Sequence, residues 1–208
     1  MTITWYFDFI SPFAYLQWPR IRALADTRPI QFRPVLLAGL LDHWGHKGPA
    51  EIPGKREFTY RFAQWRAERA GMPLRFPPAH PFNPLPALRL CLAAGGDARA
   101  IEAIFQHLWA EGRRGDDIDS LTPVGQVLGI DDVAAAIGRP DVKRQLQDNF
   151  QAALAEHVFG VPTLVADGQL FWGEDATPMF EDFLADPGLF DSDAMRRLAQ
   201  LPQSARRV

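Results

Sequence analysis

The chain is short of the residues that build several common kinds of site. One cysteine, Cys91, among 208 residues excludes an intrachain disulfide and any cysteine-rich metal centre. It lies in the apolar stretch Leu88-Arg89-Leu90-Cys91-Leu92, where a buried and inert thiol is expected. No apolar run approaches the ~18 residues of a membrane span, and the chain opens on a strand pattern rather than a basic segment with an apolar one behind it. No membrane partner is expected, and the expected location is cytoplasmic. An excess of one charge is missing too: 22 Lys and Arg against 25 Asp and Glu leave a net charge of −3, with no basic run to grip nucleic acid. No phosphate-binding glycine motif, nucleotide fingerprint or Ser-His-Asp order is present. His43 and His46 have His-x-x-His spacing, but no Cys or carboxylate cluster completes a four-ligand set, so no metal site is expected.

What is there is ordinary in bulk and pointed in detail. With 47% apolar and 23% charged residues the chain can bury a full core as one compact unit with an insertion. Its first run, Ile3-Thr4-Trp5-Tyr6-Phe7-Asp8-Phe9-Ile10, is β-branched and aromatic and reads as a strand. Ser11-Pro12 follows at once: a hydroxyl suited to the N-cap and a proline suited to the first helical position. A strand feeding a helix N-terminus leaves unpaired N–H groups and the positive end of the helix dipole beside the Ser11 hydroxyl, a setting that favours an anion. An N-cap with no further role has the same local pattern.

Phe13, Leu16, Gln17, Arg20, Ile21 and Leu24 continue at helical spacing, with a kink expected at Pro19. Ile30 to Leu36 alternates and reads as a second strand, parallel to the first through the helix. From residue 38 to about 130 only helical signals occur. Phe58, Phe62 and Trp65 share a face, Asn83-Pro84 opens one helix and Asp97 caps another, and aromatic residues at such spacing are expected in the core. A long amphipathic helix through Val142, Leu146, Phe150 and Leu154 leads to Gly160-Val161-Pro162, the strand Thr163–Ala166, an Asp167-Gly168 hairpin turn, the strand Gln169–Trp172 and a final helix over Pro178–Leu184. The expected architecture is α/β: a thioredoxin-like unit over 1–37 and 131–200, interrupted by an all-helical insertion over 38–130, with a frayed tail over 201–208.

Three segments carry a family resemblance. Tyr6-Phe7-Asp8-Phe9-Ile10-Ser11-Pro12-Phe13-Ala14-Tyr15, Val158-Phe159-Gly160-Val161-Pro162-Thr163 and Phe171-Trp172-Gly173-Glu174-Asp175 together resemble the 2-hydroxychromene-2-carboxylate isomerases. These are relatives of the kappa-class glutathione transferases within the DsbA-like thioredoxin superfamily. Phe76-Pro77 and Pro81-Phe82-Asn83-Pro84-Leu85-Pro86-Ala87-Leu88-Arg89 extend the similarity through the middle of the chain.

The resemblance implies glutathione as cofactor, with Ser11 as the catalytic residue that hydrogen-bonds its sulfur and keeps it a thiolate. A free thiol has a pKa of about 8.5, and a helix N-terminus with a hydroxyl donor can lower it enough for neutral pH. Ala14 stands where a thioredoxin carries its second cysteine, so a dithiol mechanism is not available. By the same resemblance Pro162 is a cis-proline that presents the Val161 backbone to the cysteinyl part of glutathione. Glu174, through its backbone N–H, and Asp175, through its carboxylate, hold the γ-glutamyl end, and Lys55 reaches the glycyl carboxylate or an acidic substrate. Phe13 and His80 are candidates on the substrate side, His80 as a titrating group in a proline-rich loop. A homodimer and a small aromatic substrate are the implied partners.

Two departures stand out. Ala176-Thr177 replaces the Arg-Leu pair usual in the family, removing a charge partner for Asp175 or for the glutamyl carboxylate. The segment Gly48-Pro49-Ala50-Glu51-Ile52-Pro53-Gly54 lacks the asparagine that members place before the lysine, and Asn83 does not simply inherit its role. The expected activity is the glutathione-dependent interconversion of 2-hydroxychromene-2-carboxylate and trans-o-hydroxybenzylidenepyruvate in aromatic catabolism. The alternatives are a kappa-like transferase that releases a glutathione conjugate, and a noncatalytic thioredoxin-like protein that holds an extended peptide at the Val161-Pro162 edge.

Overall fold

The structure, a computed structural model, describes residues 1–198, 200–202 and 204. The chain runs β1 (Ile3–Phe7), α1 (Pro12–Ala25), β2 (Ile30–Pro34), then α2 (Leu37–His43), α3 (Pro53–Ala70), α4 (Leu85–Ala93), α5 (Ala98–Phe105), α6 (Ile118–Leu128), α7 (Val133–Gly138) and α8 (Pro140–Ala155). It returns to the sheet with β3 (Thr163–Ala166) and β4 (Gln169–Trp172) and closes with α9 (Thr177–Ala185) and α10 (Asp193–Leu198). The strands lie in the order β2-β1-β3-β4, with β1 and β2 parallel and the other two pairs antiparallel. This is the thioredoxin-like order, with helices alone between β2 and β3 among the described residues.

β1 is the central strand and is buried along its whole length. Alternation sends Ile3, Trp5 and Phe7 into the main core with α1, α4 and α5, and Tyr6 into a second core with Val35, Leu40, Ala153 and Val165. The β3–β4 turn follows from its sequence: Asp167 and Gly168 both take positive φ, 47° and 78°, as a two-residue hairpin loop needs. Asp97 caps α5 through the Ala100 N–H at 2.9 Å, and α5 continues into a π-helical turn, Gln106–Ala110, that carries Trp109 inward.

Four expectations need correction. β1 stops at Phe7 rather than Ile10, and β2 at Pro34 rather than Leu36. Asp8 is the reason: its buried carboxylate accepts the Ile10 N–H at 3.1 Å and the Leu37 N–H at 2.8 Å, turning both chains out of the ladder. The aromatic face of α3 is not core. Phe58 and Trp65 are 67% and 48% exposed, while Ala63 and Ala67 are the buried residues of that helix. The last helix, α9, is followed by the short α10, which the sequence pattern did not suggest. α1 is a single helix with Pro19 inside it, as expected of the chain after Ser11. Of the expected tail, residues 203 and 205–208 lie outside the described residues. Cys91 is fully buried in α4, and burial pushes its thiol up, away from reactivity. No helix among the described residues is long and apolar enough to cross a membrane.

Candidate active site at the N-terminus of the first helix

Three loops leave the sheet at one end. β1 pairs antiparallel with β3 so that Tyr6 faces Thr163, and Thr163 in turn faces Trp172. The chain leaving β1 for Ser11, the chain entering β3 from Val161-Pro162 and the chain leaving β4 for Gly173-Glu174-Asp175 therefore converge. The Val161–Pro162 peptide bond is cis, and the Gly173 N–H donates to the Pro162 carbonyl at 2.9 Å.

Ser11 is the N-cap of α1, buried, with its backbone extended at φ −88° and ψ 115°. Its Oγ accepts the Ala14 N–H at 3.3 Å, and its hydroxyl hydrogen has no acceptor among the described residues. Pro12 has no N–H, and no acceptor among the described residues takes the Phe13 N–H. The end of α1 thus offers one hydroxyl and one backbone donor in the field of the helix dipole. Val161 likewise makes no backbone hydrogen bond among the described residues.

The loop that carries Ser11 is held from several sides. The Ser11 N–H donates to the Asp8 carbonyl at 3.1 Å. The Asp8 carboxyl is raised to about 7 by burial, against the pull of the backbone donors around it. The Phe9 carbonyl accepts the Trp109 indole N–H at 2.8 Å, and the Ile10 carbonyl accepts from His80 Nε2 at 2.8 Å. Because a carbonyl only accepts, Nε2 carries the proton, and Nδ1 accepts from the Tyr60 hydroxyl at 2.6 Å. Burial lowers the His80 pKa and keeps the ring neutral. Both imidazole nitrogens are thus engaged inside the protein, which places His80 behind the loop as a brace.

Gln17, one and a half turns beyond Ser11, ties α1 to the third loop. It accepts the Trp5 indole N–H at 2.7 Å and donates to the Gly173 carbonyl at 3.3 Å and to Thr177 Oγ1 at 2.9 Å. Gly173 needs its glycine there: its φ is +96°, and the Asp175 carboxylate folds over its Cα. The Glu174 carboxylate receives Arg66 Nη2 on both oxygens, at 2.6 and 2.5 Å, in a partly buried ion pair across to α3. Asp175 is exposed at the rim.

α3 crosses this end of the molecule. Phe13 packs on Phe62 with ring centroids 6.0 Å apart, and Phe62 stacks with Phe58 and Trp65 at 5.7 and 5.8 Å. Lys55 is exposed in the first turn of α3 and makes no ion pair among the described residues. The structure therefore gathers Ser11, Phe13, Val161, Pro162, Glu174 and Asp175, leaves Lys55 on the far end of the α3 face, and turns the His80 ring nitrogens away from solvent. Asp8, Gln17 and Arg66 escaped the sequence reading. Only Arg66 had a visible signal, since it shares the helical face of Lys55 and Phe62. No group of three or more His, Cys, Asp or Glu residues suited to a metal occurs among the described residues.

A serine at the N-terminus of the first helix, beside a cis-proline and on this sheet, has relatives. A DsbA-like thioredoxin domain matches residues 2–185. The chain belongs to the DsbA-like thioredoxin family. It is 30% identical over 190 residues to a 2-hydroxychromene-2-carboxylate isomerase of Pseudomonas putida, covering 87% of this chain and 93% of that protein. It is 28% identical over 208 residues to glutathione S-transferase kappa 2 of Caenorhabditis elegans, covering 89% of this chain and 92% of that protein. Among solved structures, a 2-hydroxychromene-2-carboxylate isomerase superposes with a TM-score of 0.76 at 25% identity, over 98% of this chain and all of the other. The chain thus sits in the family's branch of glutathione-related isomerases and transferases.

Proposed function

We propose that this protein is a glutathione-dependent isomerase that interconverts 2-hydroxychromene-2-carboxylate and trans-o-hydroxybenzylidenepyruvate. The observation that carries the reading is the Ser11 cap, whose oxygen is occupied by the Ala14 N–H at 3.3 Å while its hydrogen is free for a sulfur beside the helix end. A thiolate there receives the Ser11 O–H and the Phe13 N–H, and the helix dipole lowers its pKa. Val161 pairs with the cysteinyl backbone, the Glu174 N–H and the Asp175 carboxylate hold the γ-glutamyl end, and Lys55 reaches the glycyl carboxylate.

The 2-hydroxychromene is a cyclic hemiketal and opens first: its bond from C2 to the phenolic oxygen breaks, the 2-hydroxyl proton passes to that oxygen through water and C2 becomes a ketone. The double-bond isomerisation that follows uses this thiolate. The ring-opened substrate is an unsaturated ketone; the thiolate adds to its β-carbon, and the electron pair of the double bond moves to the carbonyl oxygen as an enolate. The former double bond is now single and rotates. Collapse of the enolate rebuilds the double bond in the trans geometry and expels the thiolate, so glutathione is not consumed. The Phe13 and Phe62 rings offer a face for the aromatic substrate. His80 takes no proton in this scheme, since both its nitrogens are hydrogen-bonded. A cytoplasmic location, where glutathione is kept reduced, fits this use of the free thiol.

A kappa-like transferase would use the same thiolate and part with a conjugate. Product analysis by NMR with substoichiometric glutathione tests the reading. Complete equilibration of the two substrate isomers with glutathione recovered intact is the expected result; stoichiometric loss of glutathione into a conjugate would favour the transferase.

A further inference from the structure

The α3 helix presents Lys55, Phe58, Phe62, Trp65, Arg66 and Arg69 on one face, within an arc of about 100° at 3.6 residues per turn. The face has cations at both ends and stacked aromatic rings between them. Its C-terminal end, with Leu16 of α1 and Glu174, lines a cavity of about 200 Å³ whose other walls are Arg66, Arg69 and Ala70. Cavities that take a whole small ligand run from roughly 300 to 1,000 Å³, so this one suits one end of an extended molecule.

The charges of the cavity do not balance. Arg66 is paired with Glu174 through Nη2 alone, leaving its Nη1 and Nε donors without a partner among the described residues. Arg69 makes no ion pair there; its guanidinium lies over the Trp65 ring at 5.3 Å, which holds it beside Arg66. Two guanidiniums against one carboxylate leave a surplus positive charge, with planar donors arranged for a carboxylate. Asp175 follows Glu174 in the same turn, exposed, and adds a negative group at the rim next to that cavity wall. A carboxylate receptor next to an acidic rim is the complement of an α-amino acid head group.

We infer that Arg66 and Arg69 receive the α-carboxylate of the γ-glutamyl residue, with Asp175 on its ammonium. This inference rests on the glutathione reading above. It supplies from α3 the cation that Ala176-Thr177 removed from the turn itself. The spacing agrees. Leu16 lies about 8 Å along α1 from Ser11, the reach of roughly two extended residues. Lys55 and Arg66 are about 17 Å apart along α3, and an extended tripeptide of roughly 11 Å with a carboxylate at each end fills that span once the Lys and Arg stems are counted.

The test compares glutathione with 4-aminobutyryl-cysteinyl-glycine, which lacks only the α-carboxylate, by calorimetric titration of wild type, Arg69→Ala and Arg66→Lys. Wild type is expected to bind the analogue about tenfold or more weakly than glutathione, the scale of a charge-assisted hydrogen bond. Arg69→Ala weakens glutathione by a similar factor and leaves the analogue unchanged. Arg66→Lys, which keeps the charge and the ion pair to Glu174 but loses the planar fork, shows the same selectivity in smaller degree. Equal effects of Arg69→Ala on both ligands, or no discrimination by wild type, would overturn the inference while leaving glutathione binding intact. Absence of glutathione binding by wild type would instead remove the reading on which it rests.

Discussion

His80 and Ile10 are joined by a hydrogen bond of 2.8 Å from the imidazole Nε2 to the backbone carbonyl one residue before Ser11. The bond runs from the helical part of the chain to the loop of the sheet that carries the candidate catalytic serine, and Tyr60 backs it at 2.6 Å. A substitution that keeps the volume and loses the donor, His80→Phe, leaves the Ile10 carbonyl and the Tyr60 hydroxyl without these partners. It is expected to cost about 1–3 kcal/mol in urea denaturation, and to slow glutathione-dependent turnover more than it weakens glutathione binding. His80→Gln, with an N–H at similar reach, should recover part of both.

Gln17 joins Trp5 on β1 to Gly173 and Thr177 beyond β4. Gln17→Leu fits the space but strands the Trp5 indole N–H in the core, for a loss of about 1–3 kcal/mol. Because Gly173 precedes Glu174, the same variant should bind glutathione more weakly, whereas a remote core variant of equal cost should not. Denaturation and calorimetry on the two variants separate these outcomes.

Asp8 sets a pH dependence whose sign is fixed. Its carboxyl rises from 3.8 in a free chain to about 7 in the fold, through burial. The folded state therefore holds a proton that the unfolded state gives up, and the contribution of Asp8 to stability is full below pH ~4 and lost as pH rises through about 7. About three pKa units correspond to a change of about 4 kcal/mol. His80 runs the other way: its pKa is lowered by burial, so its contribution is present above about pH 6.5 and falls as the pH drops. Asp8→Asn should gain on wild type by about 4 kcal/mol between pH 4 and pH 8, on top of a constant offset for the one N–H an amide cannot accept. Guanidinium melts at the two pH values check this; a constant gap would contradict it.

Local chemistry was the legible part of this molecule. Ser11-Pro12 declares a helix start, and Asp167-Gly168 a hairpin, because both act through their own backbone within three residues. The covalent order of strands and helices follows the same local signals, and with it the convergence of Ser11, Pro162 and Glu174. Pairings that span the chain left no such mark. Asp8 ends two strands by bonding Leu37, and Arg66 meets Glu174 across more than half the sequence. The α3 aromatics misled for a related reason: helical period tells which residues share a face, not what covers it. Here small Ala63 and Ala67 face the core, and the large rings stay outside with the cations.

Calorimetric titration of glutathione at pH 7, in two buffers of different ionisation enthalpy, tests the central claim most directly. The thiolate account predicts saturable binding by wild type with release of about one proton per glutathione, and loss of most of that release in Ser11→Ala, which keeps its fold. No binding at millimolar glutathione, or the same proton release from Ser11→Ala as from wild type, would contradict it.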